Sequence, residues 1–434
     1  MSEILGRLNE STKEVTVIGG GISGLIAAFF LNQKGYRVHL IEAEDRCGGL
    51  IQTFNLPLGL AESAAHSLLV TPQVRGLFEE LKIPLTPLEP RSRARYILRG
   101  GKLRRYPLSL QETLELIYRV CLKRAPHHPS YRNWSVQRWS EYHLGGAALK
   151  YLFAPMLQGI YGAKPEEICL QAAFPRLRIP PGNSLLSYLL TLLKQRLFSS
   201  KKPSHSTQHA IMTPSHGMES LTKALYDRIK HTPGNTIQLG QKLKELPKSQ
   251  NIILCTPADE AAQLLKETHP ELSHALSRIE YTALISVTLF IERAKLQLIP
   301  QGLGVLIPES EGFECLGILF NSSSFSNKVK NPEQWISCTA FLGGSHHPEL
   351  LSESDDALIQ RIEKDMRRLF GLQGRIEQSS ISRWHRAIPK YNGTLTEALE
   401  IAKRTWCAEN GHILFGNYTG SVSLRGMIES FSKL

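Results

Sequence analysis

The chain has 434 residues, 42% of them hydrophobic and 21% charged, which excludes a disordered protein and allows two or three lobes. Its 51 Lys and Arg against 39 Asp and Glu leave a formal charge of +12, a surplus that attracts anionic partners. There is no zinc-finger spacing or aromatic–basic recognition motif, so nucleic acid is set aside, and no apolar run approaches the roughly 18 residues of a membrane span.

The first stretch, MSEILGRLNESTKE, lacks the apolar core of a secretory signal, so a cytoplasmic protein is expected. Residues 14–42 read EVTVIGGGISGLIAAFFLNQKGYRVHLIE. The β-branched run VTVI predicts a buried strand, and Leu25, Ala28, Phe29 and Leu31 recur at helical spacing. Lys34-Gly35 ends that helix, and RVHLI predicts a second strand. Gly19, Gly21 and Gly24 form GxGxxG at the first turn. One glycine permits the turn, one lets a pyrophosphate approach the backbone, and one lets helix and strand pack closely. Ile22 and Ser23 belong to the same turn, where free N–H groups and the positive helix end face the phosphates. Glu42, at the tip of the second strand, is placed for ribose hydroxyls. This is the pattern of a dinucleotide-binding βαβ unit.

Further along, residues 76–204 read as mostly helical. Within them SLLSYLLTLLKQRLF (184–198) carries a leucine stripe opposite Ser187, Thr191, Lys194 and Gln195, with basic residues following. Such a helix either lies in a membrane interface or packs within its own domain, the commoner case. SSKKPSHSTQHA (199–210) predicts a surface loop. TIQLGQKLKEL predicts an edge strand, and NIILCTPADEAAQLL a buried strand and helix. Alternating runs over 285–343 predict an antiparallel sheet with one face toward a pocket. A helix near 354–370 is expected on the other face. Seven cysteines without a CxxC pair read as reduced thiols. The pairs His127-His128 and His346-His347 read as surface residues, and no metal is expected.

EAEDRCGGL places Arg46, Gly48 and Gly49 just after the ribose acid, and with the glycine turn it resembles the amine-oxidase superfamily of FAD flavoproteins. Later segments narrow the resemblance to protoporphyrinogen oxidases. They are GIYGAKPEEICLQAAFPRL (159–177), HGMESLTKAL (216–225), NIILCTPADEAAQLL (251–265), ISRWHRAIPKY (381–391) and GNYTGSVSLRGMIES (416–430), in the family's order. The resemblance implies an α/β protein with a discontinuous Rossmann-like FAD-binding domain assembled from residues 10–75, 205–284 and 384–434. It also implies a mostly helical subdomain over 76–204 and an α+β substrate domain over 285–383. It assigns non-covalent FAD to the glycine turn, Glu42, Ala43, Arg46, Gly48, Gly49, Leu50, Leu243, Trp384, Gly416, Asn417, Val422, Ser423 and Leu424. Arg95, with Arg99 as a second candidate, would anchor substrate propionates, and Leu306, Leu319 and Phe341 would line the macrocycle. Ala64-Ala65, Ala163, Lys164 and Ser421 depart from the family pattern.

The implied reaction converts protoporphyrinogen IX to protoporphyrin IX in haem biosynthesis. Flavin N5 accepts successive hydrides, and O₂ or another acceptor regenerates the flavin. No side-chain base is assigned, since the cofactor performs the redox step. Alternatives on the same scaffold are coproporphyrinogen III oxidation, an isomerase or desaturase, and a non-catalytic flavin-bound assembly protein. Peripheral membrane contact at the inner face and a homodimer are further expectations left open.

Overall fold

In the computed structural model, residues 5–175, 177–198, 209–420 and 422–432 are described. The departure at Ser421 and residues 199–208 of the loop expected over 199–210 lie outside them, and Ala210 belongs to a strand, Ala210–Pro214.

A six-stranded sheet runs in the order Leu5–Gly6, His412–Leu414, Ile252–Leu254, Glu14–Ile18, Arg37–Ile41 and Thr236–Gln238. All but the short Leu5–Gly6 edge are parallel. Parallel strands need both faces covered, which is why VTVI and IIL are apolar throughout. Val15, Val17, Ile253 and Ile413 face one core, shared with helices Ile22–Gln33, Glu219–Lys230 and Leu424–Phe431. Ile18, Ile252, Leu254 and Leu414 face the other, shared with helices Ala258–Leu265 and Gly393–Arg404. The two ends of the chain therefore meet in one sheet. The closing helix seats Met427, Ile428 and Phe431 beside Leu25 and Phe29, and Ser23 Oγ lies 3.6 Å from Met427 Sδ.

A second, seven-stranded sheet runs in the order Gln378–Pro389, Tyr281–Glu292, Trp335–Gly343, Gly317–Leu319, Gly304–Leu306, Arg95–Arg99 and Lys102–Arg104. Only the Gly304–Leu306/Arg95–Arg99 pairing is parallel. This sheet moves the expected boundaries. Tyr281–Glu292 crosses the one placed after residue 284, and Gln378–Pro389 crosses the one placed at 384. Arg95–Arg99 and Lys102–Arg104, inside the span read as helical, are sheet strands because their neighbours supply the missing hydrogen bonds. One face of the sheet is covered by helix Asp355–Phe370 through Leu358, Ile362, Met366 and Leu369. Ser354 caps that helix at Ala357 N, and Gly371 (φ 64°) ends it in the left-handed conformation.

Helices Leu110–Leu122 and Leu185–Phe198 pack on each other, and the first is tied to the edge of the seven-stranded sheet by Glu112 and Arg99. The expected self-packed helix turns its leucines outward. Among its leucines of described burial only Leu185 is buried, while Leu189, Leu190 and Leu193 are exposed, as are Leu110, Leu114, Ile117 and Leu122 on its neighbour. Among the described residues no helix is long and apolar enough to cross a membrane. His127 and His128 are exposed, but the His346 side chain is only 7% exposed, with Nδ1 3.1 Å from Glu309 Oε2, which corrects its reading as a surface residue.

Candidate functional site

Gly19, Cys255 and Gly416 leave three adjacent parallel strands at the carboxyl edge of the six-stranded sheet, the side on which such sheets bind ligands. Cys255 N donates to Ile18 O at 2.8 Å, and Phe415 N to Leu254 O at 3.0 Å. The glycines divide their tasks as their spacing suggests. Gly19 (φ 101°) makes the turn, and a Cβ on Gly24 would lie 1.9 Å from Gly19 O, so only glycine permits this helix–strand approach. A Cβ on Gly21 would meet nothing nearer than Gly49 Cα at 4.0 Å. That unfilled space lies at the amino end of a helix with no acidic residue in its first turn, and it fits a pyrophosphate.

The rest of the cradle is tied to this turn. Gly48 N donates to Gly20 O at 2.9 Å, drawing the Gly48-Gly49 crossing beneath Gly21. Arg46 Nη2 donates to Gly49 O at 2.7 Å and holds that crossing, with its side chain half-buried. Glu42 accepts from Gly20 N and, at 2.9 Å, from Glu44 N. Its two oxygens keep further lone pairs for hydroxyl donors. Gln241 N donates to Glu42 O at 2.9 Å, which brings half-buried Leu243 near the same strand tip. Ala43 is exposed, and Leu50 O accepts from Ser63 Oγ at 2.7 Å. At the other end of the chain, Asn417 O accepts from Tyr391 Oη at 2.7 Å, and Gly416 N donates to Thr419 Oγ1 at 3.2 Å. Ser423 caps the closing helix at Gly426 N (3.1 Å), with Val422 and Leu424 half-buried beside it. These residues fit FAD.

Beside this cradle lies the other face of the seven-stranded sheet, covered over Thr339 by Asn321, whose Nδ2 donates to Thr339 Oγ1 at 2.8 Å. Strand residues alternate between faces, so the register determines which side chains stand together. One row across the strands reads Ile97, Leu306, Gly317, Phe341, Ser286 and Ser382. The next reads Arg95, Gly304, Leu319, Thr339, Thr288 and Ser380. Arg95, Leu306, Leu319 and Phe341, chosen from scattered positions, thus share one face with Arg99 and Trp384. Leu306, Leu319, Phe341 and Trp384 are half-buried, whereas Ser286, Thr288 and Thr339 of the same rows are buried, so any open part of the face lies toward the four larger side chains. Trp384 Nε1 donates to Ser63 O at 2.8 Å, and the His66 ring stands edge-on to Phe341 with centroids 5.5 Å apart. Both contacts join the slot to the loop after Glu62. Helix Ala154–Tyr161 borders the slot, since a Cβ on Gly159 would lie 2.9 Å from Leu306 Cδ2.

The two arginines differ. Arg95 is exposed, and its side chain has no hydrogen bond or ion pair among the described residues. Arg99 is committed to Glu112 through paired contacts of 2.7 and 2.9 Å and lies 4.1 Å from the Tyr151 ring centre. It holds the Glu112 carboxyl down at about 2, which removes Arg99 as a free propionate anchor. Its partner is hidden from local sequence patterns because it follows a separate turn.

Two features carry no local signature. Lys328 Nζ donates to Glu62 Oε1 at 2.7 Å, with the side chains 2% and 1% exposed. Glu62 also accepts from Thr53 Oγ1 at 2.6 Å and from Met218 N at 3.2 Å. The pair joins the sheet's Ser326–Lys328 loop to the cradle across 266 positions of sequence. The second is His66 itself. Of the departures, Ala163 is fully buried, Ala64 and Ala65 are half-buried beside Ser63, and Lys164 N donates to Glu167 Oε2 at 2.8 Å.

Comparison with known proteins agrees with this geometry. The family model described as flavin containing amine oxidoreductase matches residues 22–430. The chain is 24% identical to the Arabidopsis thaliana protein named protoporphyrinogen oxidase 2, covering 98% of this chain and 93% of that one. It is 22% identical to coproporphyrinogen III oxidase of Bacillus subtilis, covering 89% of each. A crystal structure from Exiguobacterium sp. 255-15, provisionally named a protoporphyrinogen oxidase, superimposes with a TM-score of 0.75 at 19% identity over 98% of each chain. This last likeness shows a shared fold.

Proposed function

The chain belongs to the family of flavin-containing amine oxidoreductases and is an FAD-dependent oxidoreductase, and from that premise we propose that it oxidises protoporphyrinogen IX to protoporphyrin IX in haem biosynthesis. The observation that carries this reading is the single sheet face beside the cradle, apolar along Ile97, Leu306, Leu319 and Phe341 and cationic at one end. Arg95 stands three strands from Phe341, about 14 Å across the sheet. Exposed Lys102 and Arg104 lie on the next strand. A macrocycle with both propionates on one edge suits that one-sided charge better than one with four propionates around its rim. Relatives named for either porphyrinogen support the substrate class.

FAD, when bound, supplies two-electron oxidation, with O₂ or another acceptor restoring it. The chain's own residues bind and orient. Arg95 holds a propionate, the apolar rows exclude water from the ring, and Trp384 and Ser63 fix the loop between substrate and cofactor. We propose further that the outward leucines of Leu110–Leu122 and Leu185–Phe198 rest on a membrane surface. The basic Arg95–Arg104 hairpin is joined to the first of these helices by Arg99–Glu112 and would face acidic headgroups.

The test compares kcat/KM for protoporphyrinogen IX and coproporphyrinogen III under one set of conditions. A preference of about tenfold or more for the former is expected, about 1.4 kcal/mol in the transition state. The reverse preference would assign coproporphyrinogen, and turnover of neither by flavin-loaded protein would leave the non-catalytic alternative.

A further inference from the structure

A porphyrinogen presents four pyrrole N–H donors at its centre and no acceptor there. An apolar slot that takes it in strips those donors of water, and each buried donor without a partner weakens binding. In the rows around Phe341, Thr288 and Thr339 already bond each other, which leaves the hydroxyls of Ser286, Ser382 and Ser380 as acceptors. Opposite them, the loop after Glu62 adds a stronger acceptor, His66. Its ring stands edge-on to Phe341 at an interplanar angle of 89°, and Nε2 is buried with no hydrogen-bond partner. Its backbone is held by Thr213 Oγ1, which donates to His66 O at 3.1 Å. Ser286 Oγ, on the residue that pairs with Phe341, is likewise buried without a partner, so the unsatisfied polar atoms gather around one ring.

We propose that the His66 imidazole is a hydrogen-bond acceptor in the slot for the substrate's pyrrole N–H groups, a substrate-binding role that rests on the porphyrinogen reading above. Burial pushes the imidazole down to about 3, and the nearby Lys328 ammonium adds to the effect. The ring stays neutral at working pH and keeps one nitrogen lone pair. Oxidation leaves the porphyrin with two N–H groups and two imine nitrogens in place of four N–H groups. An acceptor in the slot therefore favours substrate over product and assists product release.

The experiment is anaerobic calorimetric titration of flavin-loaded, dithionite-reduced enzyme, which binds protoporphyrinogen but cannot turn it over. His66→Leu should raise the dissociation constant for protoporphyrinogen about tenfold, while protoporphyrin binding changes less than threefold and flavin content stays at the wild-type level. His66→Asn, which restores an acceptor oxygen, should return the substrate constant to within about threefold of wild type. A His66→Leu constant within about twofold of wild type overturns the assignment, as does loss of flavin from that variant, which would place His66 at the cofactor. Failure of the wild-type enzyme to bind any porphyrinogen is a separate result that removes the porphyrinogen reading and this assignment with it.

Discussion

Gly21→Ala separates what the protein needs from what its cofactor needs. Gly21 has φ −65°, which any residue adopts, and an added Cβ meets only Gly49 Cα at 4.0 Å. The apoprotein should therefore change stability by less than about 0.5 kcal/mol. A pyrophosphate drawn against this backbone would meet the new methyl, and such overpacking costs about 1–3 kcal/mol, roughly ten- to a hundredfold in FAD affinity. Gly21→Val, with two more carbons in the same space, should purify colourless. Gly24→Ala is the contrast. Its Cβ would fall 1.9 Å from Gly19 O, a backbone atom that cannot swing aside, so the apoprotein should lose more than about 2 kcal/mol. FAD titration by flavin fluorescence, paired with denaturation of the apoproteins, reads both quantities. Wild-type FAD affinity in Gly21→Ala, or an apoprotein as damaged as Gly24→Ala, would refute the placement of the phosphates.

Arg95→Ala should raise the porphyrinogen KM with flavin content unchanged, whereas Arg99→Ala should leave KM unchanged, because Arg99 already serves Glu112; steady-state kinetics on both variants decides. Lys328→Met should cost about 3–5 kcal/mol in urea denaturation by stranding the buried Glu62 carboxylate, and adding Glu62→Gln should recover most of that loss. His143 is fully buried, 2.7 Å from Tyr131 Oη, and burial lowers its pKa to about 4. The unfolded chain binds a proton near pH 6.5 that the native ring refuses, so stability present above that pH is lost as pH falls toward 4. Between pH 7 and 5 the loss is about 2 kcal/mol, and His143→Gln should show a correspondingly shallower acid dependence in denaturation curves. Leu114→Glu combined with Leu193→Glu should reduce sedimentation with acidic liposomes while flavin content is retained.

The cradle was readable because its chemistry is local. Strand, glycine turn, helix and Glu42 lie within one stretch, and each glycine's task follows from its spacing. The closing segment was readable only through family resemblance, since nothing inside GNYTGSVSLRGMIES shows that His412–Leu414 will lie two strands from Glu14–Ile18. The sheet's extent exceeded the sequence reading for a related reason. Tyr281–Glu292 and Gln378–Pro389 alternate a packed face with a slot face, and their serines and threonines on the slot side blur the apolar signal at the strand ends. Arg99 looked free because its partner sits across a turn, although the Ser109–Glu112 capping box is itself visible as a helix start. The outward stripe of Leu110, Leu114, Ile117 and Leu122 has the same helical period as a buried stripe, and period alone cannot say which face meets protein. Lys328–Glu62 and the contact of His66 with Phe341 join residues hundreds of positions apart, which only the folded chain brings together.

The central claim is that one FAD, held between the two ends of the chain, stands beside a slot that delivers a porphyrinogen to it. Anaerobic mixing of the flavin-loaded protein with protoporphyrinogen IX, followed by flavin absorbance, tests it most directly. Rapid loss of the oxidised-flavin band together with appearance of porphyrin is expected. A flavin that stays oxidised with protoporphyrinogen IX and with coproporphyrinogen III alike would contradict it.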